Sequence, residues 1–472
     1  FRSLFFMNEL IKLSAHAVRD LLRKREINPA ELLDALEERV EQVNPLVNAV
    51  PTCCFDRARD RAQKNDFSNL PLAGLPVAIK DLMAVEGVKT TFGSMAFEHH
   101  VPDASDLLVQ RIENAGGVIF SKTNTPEFGA GANTFNDVFG ATVNPWNTHL
   151  SAAGSSGGSA VALATGMAWL ATGSDLGGSL RNPASFCSVV GLRPSQGRVP
   201  CDPGNLAFDR MSMEGPMARN VTDAAMLLDV MAGYDAVDPM SLDDPVTSFE
   251  SAAKRKQVPP RIAFSADLGI TPVDPEVAAI CETATKRFCE VGATIAYAHP
   301  DFDGLQDVFQ ILRAFSFAAD LGPDLDAHRD IYKPEIIWNV EKGLALTAKE
   351  ITGAMVGRSK IYARAQRFFK DHDLIITPTT IVPPYPVEQR FVEHVGEHRF
   401  SNYIEWCSIA YAFTVVGAPA ISIPCGFTST GLPVGLQIVA PPRQEARLLS
   451  AACALEELLN LSNQLPIEPK TP

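Results

Sequence analysis

Apolar residues follow two different spacings along this chain, and the spacing predicts which stretches are helix and which are strand. Near the N-terminus the period is helical. Ser14 can cap a helix carrying Val18, Leu21 and Leu22. Asn28-Pro29-Ala30-Glu31 supplies a cap, a proline for the first turn and a glutamate three residues after the cap. Leu32, Leu33, Leu36, Val40 and Val43 then fall on one helical face. These helices are read as packing elements only. From Leu72 the texture changes. Leu75 to Ile79 and Gly116 to Phe120 are short unbroken apolar runs that end in polar residues, Lys80-Asp81 and Ser121 to Asn124. A helical stretch from Asp106 to Ala115 precedes the second run, and an apolar helix is expected over Ala160 to Trp169. Further helices are expected at Thr222–Ala232, Pro275–Val291 and Gln444–Leu459, and strands at Leu374–Pro378, Ala420–Pro424 and Val434–Val439. Helices alternating with buried strands predict an α/β protein, a sheet covered by helices.

A length of 472 residues would suggest roughly three domains at ~150 residues each. No linker-length run of Gly/Ser, Pro or single-sign charge supports that division, and one large domain around a big sheet fits equally. The chain is acidic, with a net charge of -14 and a pI near 5.2. That balance argues against nucleic acid as a partner and against docking on an anionic membrane. Nine cysteines at scattered spacings, with no CxxC, and nine histidines with no HExxH argue for reduced thiols, a cytoplasmic setting and no structural metal. Residues 1–6 precede Met7 and read as a leader or appended remnant, too short for a signal peptide. No apolar run reaches the ~20 residues of a spanning helix.

Three segments carry costly chemistry. Lys80 ends an apolar strand, and burial there would lower its pKa until the neutral amine can act as a base. By itself it also reads as a surface lysine or a partner of Asp81. Gly154-Ser155-Ser156-Gly157-Gly158-Ser159 places hydroxyls and free amides before a helix, or is simply a flexible turn with a serine cap. Gly173 to Ala184 sets Ser179 after two glycines in a tight loop, where the amides of Leu176, Gly177, Gly178 and Ser179 can converge as an oxyanion hole, or form an ordinary glycine turn.

Taken together, in this order and spacing, the segments resemble the amidase-signature family. The matching strings are Val77 to Asp81, Lys122 to Glu127, Asn144-Pro-Trp146, Gly154 to Ser159, Gly173 to Ala184 and Val190 to Pro194, extended by Gly215 to Arg219 and Gly417 to Ile421. The resemblance implies a single α/β domain over 7–472 with a central mixed sheet covered by helices on both faces. A signature core would occupy about 72–220 and a substrate-shaping region about 300–415. It implies a Ser–Ser–Lys triad, with Ser179 as nucleophile, Ser155 as the bridging serine after a cis Gly154-Ser155 bond, and Lys80 as base. The oxyanion hole maps to the amides of Leu176 to Ser179. Asp175 and Arg181 map to orienting positions, or equally to loop anchors. Gly129, Ala130, Gly131 and Ala132 map to a loop bordering the substrate. No cofactor or metal is implied. Two positions depart from the family pattern, Ser174 where many relatives have Thr and Ser188 where Gly is common, and neither is expected to touch the triad.

The activity implied is an amidase cleaving non-peptide carboxamides or anilides through an acyl-enzyme. The partner would be a small-molecule amide with an apolar or aromatic acyl part, with a homodimer left open. Within Val308 to Phe317, Phe309, Leu312 and Phe315 would either line an apolar pocket or form one buried helix face. The Tyr403–Phe413 stretch, with Trp406, belongs to the same region. The alternative reading is the A subunit of a glutamine-dependent tRNA amidotransferase, which shares the triad. That protein usually has an Arg-Tyr-Gly-Leu type segment where Gly197 to Gly204 stands here, so the stand-alone enzyme is favoured. Ser156 in a G-x-S-x-G-like string is a formal rival nucleophile, but no buried strand precedes it. A phosphate-binding loop fails for want of GK[ST].

Overall fold

Eleven strands join into one sheet in the computed structural model, which describes residues 8–471. In chain order they are β1 Thr52–Cys53, β2 Pro76–Lys80, β3 Val118–Thr123, β4 Leu170–Asp175, β5 Val190–Arg193, β6 Met213–Ala218, β7 Arg261–Phe264, β8 Thr294–Tyr297, β9 Leu374–Pro378, β10 Ala420–Phe427 and β11 Pro433–Val439. Their order across the sheet is β1-β3-β2-β4-β6-β5-β10-β11-β9-β7-β8. β3, β2 and β4 run parallel, as do β9, β7 and β8, and the pairs between those groups are antiparallel. The result is the expected large mixed sheet flanked by helices. β2, β3, β9 and β11 are buried along their whole length, which is why their sequences are mostly apolar on both faces. The leader expected at residues 1–6 lies outside the described residues. Among the described residues no helix is long and apolar enough to cross a membrane.

Local chemistry explains most boundaries. Ser14 caps Ala15–Arg23, and Asn28 with Glu31 forms a reciprocal capping box on Pro29–Val47. The helix expected over Ala160–Trp169 instead spans Gly157–Ala164, and Gly166, at φ +77, turns the chain into β4. An all-apolar stretch holds no period to separate the end of a buried helix from the start of a buried strand. The helix Arg181–Cys187 tolerates Pro183 because a first-turn N–H has no intrahelical partner. Ser188, where a glycine is common, closes that helix at φ +59.

β2 and β4 are parallel neighbours, so both end at the same edge of the sheet. Lys80 is the last residue of one and Asp175 of the other. A crevice outside the carboxyl ends of parallel strands is where α/β sheets place ligands.

Candidate active site

Lys80 is fully buried, and its amine is surrounded by hydroxyls. Nζ lies 2.6 Å from Ser155 Oγ, 2.9 Å from Ser156 Oγ and 3.1 Å from Ser174 Oγ. Asp81, the sequence-adjacent acid, turns away to pair with Lys122 at 3.0 Å and to accept from Thr91 Oγ1 at 2.6 Å. Burial with no ion pair pushes the Lys80 ammonium down to about 7, against the opposing charges of Asp175 and Glu214. Glu214 opposes it weakly, because burial and then the charges of Asp106 and Asp202 push its own carboxyl up to about 8.

The serine loop is clamped from several sides. The Gly154-Ser155 bond is cis. Thr134 Oγ1 donates to Ala153 O at 2.8 Å, and Ser159 bonds Thr123 Oγ1 at 2.7 Å and Thr172 O at 2.8 Å, tying the helix start to β3 and β4. The Ser156 amide donates to Ser179 O at 3.1 Å, so the two serine loops hold each other directly.

Asp175 builds the second loop. Arg181 donates to both its oxygens, at 2.7 and 2.9 Å, and both residues are fully buried. Burial would raise the Asp175 carboxyl, but Arg181 and Arg193 hold it down near 2, so it remains charged. Its oxygens accept from the amides of Gly178 at 3.0 Å and Leu180 at 3.1 Å. Asp175 and Arg181 thus tie together the loop that carries Ser179. This corrects one expectation: the Gly178 amide is committed to Asp175 and is not free for an oxyanion. The amides of Leu176, Gly177 and Ser179 have no hydrogen-bond partner among the described residues. Gly178 sits at φ +110, where a Cβ would meet Ala410 Cβ at 2.8 Å.

Ser155, Ser174, Leu176, Gly177 and Ser179 line one cavity of about 570 Å³. Ser179 Oγ makes no side-chain hydrogen bond among the described residues. Gly129, Gly131 and Ala132 also line the cavity. A Cβ at Gly129, which has φ +70, would stand 3.4 Å from Ser155 Oγ and 2.9 Å from Leu82 Cδ1. Ala130 does not join them. It packs with Leu325, Tyr332, Ile336 and Val340. A larger hollow of about 750 Å³ around Arg358 contains none of these residues, so chemistry rather than size marks the site.

The opposite wall comes from the helix Leu305–Leu321 and from Ile404. Of the three apolar residues in question, Phe309 and Leu312 are in the core, whereas Phe315 is only partly buried and joins neither the core nor the cavity; Arg313, Ser316, Phe317, Asp320 and Leu321 face the cavity instead. Trp406 is buried and packs edge-on against Tyr385. Two groups near the serines escaped the sequence reading. Ser156 was considered only as a rival nucleophile, and Ser174 was expected not to touch the triad, yet both hydroxyls bond Lys80. Ser174 stands next to last in β4, beside the strand that ends in Lys80. Ser156, unlike Ser155, does not line the cavity, and the strand before it, Asn147–Ser151, belongs to a partly exposed two-stranded ribbon.

A family model described as Amidase matches residues 31–449. The chain belongs to the amidase family. An acylamidase of Rhodococcus erythropolis is 35% identical over 470 residues, covering 97% of each chain. The A subunit of the glutamyl-tRNA(Gln) amidotransferase of Halothermothrix orenii is nearly as similar, 34% identical over 488 residues, covering 97% of this chain and 99% of its own. Among solved structures, a bacterial aryl acylamidase of the amidase-signature enzymes superposes with a TM-score of 0.90 at 26% identity, covering 96% of this chain and 97% of its own. Both kinds of relative align with this amidase from end to end, so overall identity does not separate them.

Proposed function

We propose that this amidase is a stand-alone serine amidohydrolase that cleaves carboxamides or anilides through an acyl-enzyme on Ser179, with Ser155 as proton relay and Lys80 as base. The observation that carries the reading is the buried Lys80 amine 2.6 Å from Ser155 Oγ, beside the cavity that Ser179 lines. A neutral lysine amine has two N–H groups and one lone pair. Of the three hydroxyls around Nζ, two accept from it and one donates to it. The shortest contact, from Ser155, is assigned to the lone pair. Ser155 then passes on to Lys80 the proton it takes from Ser179 as Ser179 attacks the carbonyl. The free amides of Leu176, Gly177 and Ser179 receive the oxyanion. The amine or ammonia leaves with a proton returned by the same path, and water then releases the acid.

Leu82, Phe92, Phe128, Leu176, Phe317 and Ile404 make the cavity largely apolar. That lining, and the likeness to an acylamidase and an aryl acylamidase, favour an aryl or apolar amide over glutamine. The departure at Gly197 to Gly204 from the amidotransferase segment points the same way. The test is a panel of amides and 4-nitroanilides assayed with the purified chain and with Ser179→Ala. Hydrolysis of apolar anilides by the chain alone, abolished in the variant, is expected. Glutaminase activity that appears only with added amidotransferase partner proteins would overturn the stand-alone reading.

A further inference from the structure

Arg313 lines the same cavity but belongs to none of the machinery above. Only 3% of it is exposed. Its Nη1 donates to Asn339 Oδ1 and its Nη2 to Tyr403 Oη. Its Nε is buried without a partner. Two rings lie beside the guanidinium, its Cζ 4.6 Å from the Phe317 centroid and 5.2 Å from that of Tyr403. No aspartate or glutamate forms an ion pair with it among the described residues. The acid nearest in the network, Glu335, is held by Arg390 through contacts of 2.6, 2.7 and 2.9 Å.

A buried cation with only neutral partners is costly unless something completes it. A guanidinium has five N–H donors, and two are spoken for here. The remaining three have no partner among the described residues, Nε being enclosed, and a carboxylate satisfies such a guanidinium with two parallel hydrogen bonds. Burial lowers Lys333, with Glu335 and Glu127 opposing the shift and Arg390 and Arg313 adding to it, and burial and Arg313 lower Lys342 as well. The group is also held still: Asn339 Nδ2 donates to the same Tyr403 oxygen at 2.6 Å and to Glu335 O at 2.6 Å. The one carboxylate lining the cavity, Asp320, lies seven residues further along the helix, about 10 Å of axial rise. It is exposed, whereas Arg313 is deep.

From this we infer that Arg313 is a specificity-determining residue, and that the substrate is an amide with an apolar or aromatic body and a carboxylate remote from the scissile bond. The inference rests on the amidase reading of the same cavity. It turns an apolar pocket into an amphipathic one with an anion socket at depth.

The test compares matched substrates that differ only in that charge. One series is the mono-4-nitroanilides of succinic, glutaric and adipic acids against the anilides of equal length that end in a methyl group. The other is N-acyl-4-aminobenzoates against N-acyl-4-toluidines. In the wild-type chain, kcat/KM is expected to favour the carboxylate in one series by about tenfold or more, mainly through KM. That ratio should collapse toward one in Arg313→Met and be intermediate in Arg313→Lys, which keeps the charge and loses the fork. Within each variant the neutral substrate is the internal reference, so a general loss of activity does not change the reading. Should Arg313→Met fail to fold, a drop of about threefold in the ratio for Arg313→Lys carries the test. Neutral anilides cleaved with no preference for the carboxylate in either series would overturn the inference and leave the amidase reading standing. So would a preference that survives in Arg313→Met. If neither class were cleaved, the amidase reading would fall, and calorimetric binding of the same pairs to wild type and Arg313→Lys would decide on Arg313. Equal binding of the charged and neutral members would overturn it.

Discussion

Two lysines, one at the end of β2 and one near the end of β3, are both fully buried, yet they have opposite surroundings. Lys122 has a carboxylate, Asp81, at 3.0 Å, and it also donates to Met83 O and Thr90 Oγ1. Burial lowers its pKa too, but the Asp81 charge and hydrogen bond oppose that shift. Lys80 has only serine hydroxyls, so burial acts with less opposition and brings it to about 7. One residue type on adjacent strands thus becomes a structural ion pair in one place and a titratable amine in the other. Burial is common to both. The difference is the missing acid.

Substitutions can break that contrast. Lys80→Met should cost about 10³–10⁴-fold in kcat, the range of a lost general base, while the melting temperature holds or rises because the methionine needs no partner in the core. A comparable loss of stability would show that Lys80 is structural after all. Lys122→Met should do the reverse. It leaves Asp81 buried and unpaired, and denaturant unfolding should show a loss of about 3–5 kcal/mol, largely restored when Asp81→Leu is added. If the single variant were as stable as wild type, the contrast would fail from that side.

Smaller effects sharpen it. The working form of Lys80 is the neutral amine, so activity is lost as pH falls through about 7. With chemistry limiting the rate, kcat/KM at pH 6 should be about one tenth of its alkaline plateau. A profile flat from pH 6 to 10 would remove Lys80 as the base. Ser174→Ala takes away one of three hydroxyls around Nζ and should reduce kcat/KM by only about two- to tenfold, the worth of a single hydrogen bond. A larger loss would give Ser174 a share in the relay.

The legible part of the molecule was the part governed by local chemistry. Strands such as Pro76–Lys80 and Leu374–Pro378 are buried on both faces, and the capped helices announce their starts, so sequence alone placed them. The serine and lysine segments were found by the company they keep, since each is an ordinary turn or strand end by itself. What stayed hidden depends on pairing between distant segments. β5 and β6 were matched only as family strings, with no strand expected; they pair with each other, with β4 and with β10. The commitment of the Gly178 amide needed the position of Asp175. Arg313 sat inside an apolar string whose period marked Phe309 and Leu312, and only the fold showed that the next face of the helix meets the cavity. Ala130 was carried along with its neighbours although its side chain packs elsewhere.

The pH dependence of labelling by a phosphonyl fluoride, with the adduct located by mass spectrometry, tests the central claim most directly. The account predicts a single adduct on Ser179, formed at a rate that rises through about pH 7 and is lost in Lys80→Met. An adduct on Ser156, or a rate that climbs only where an ordinary lysine deprotonates, near pH ~10.4, would contradict it.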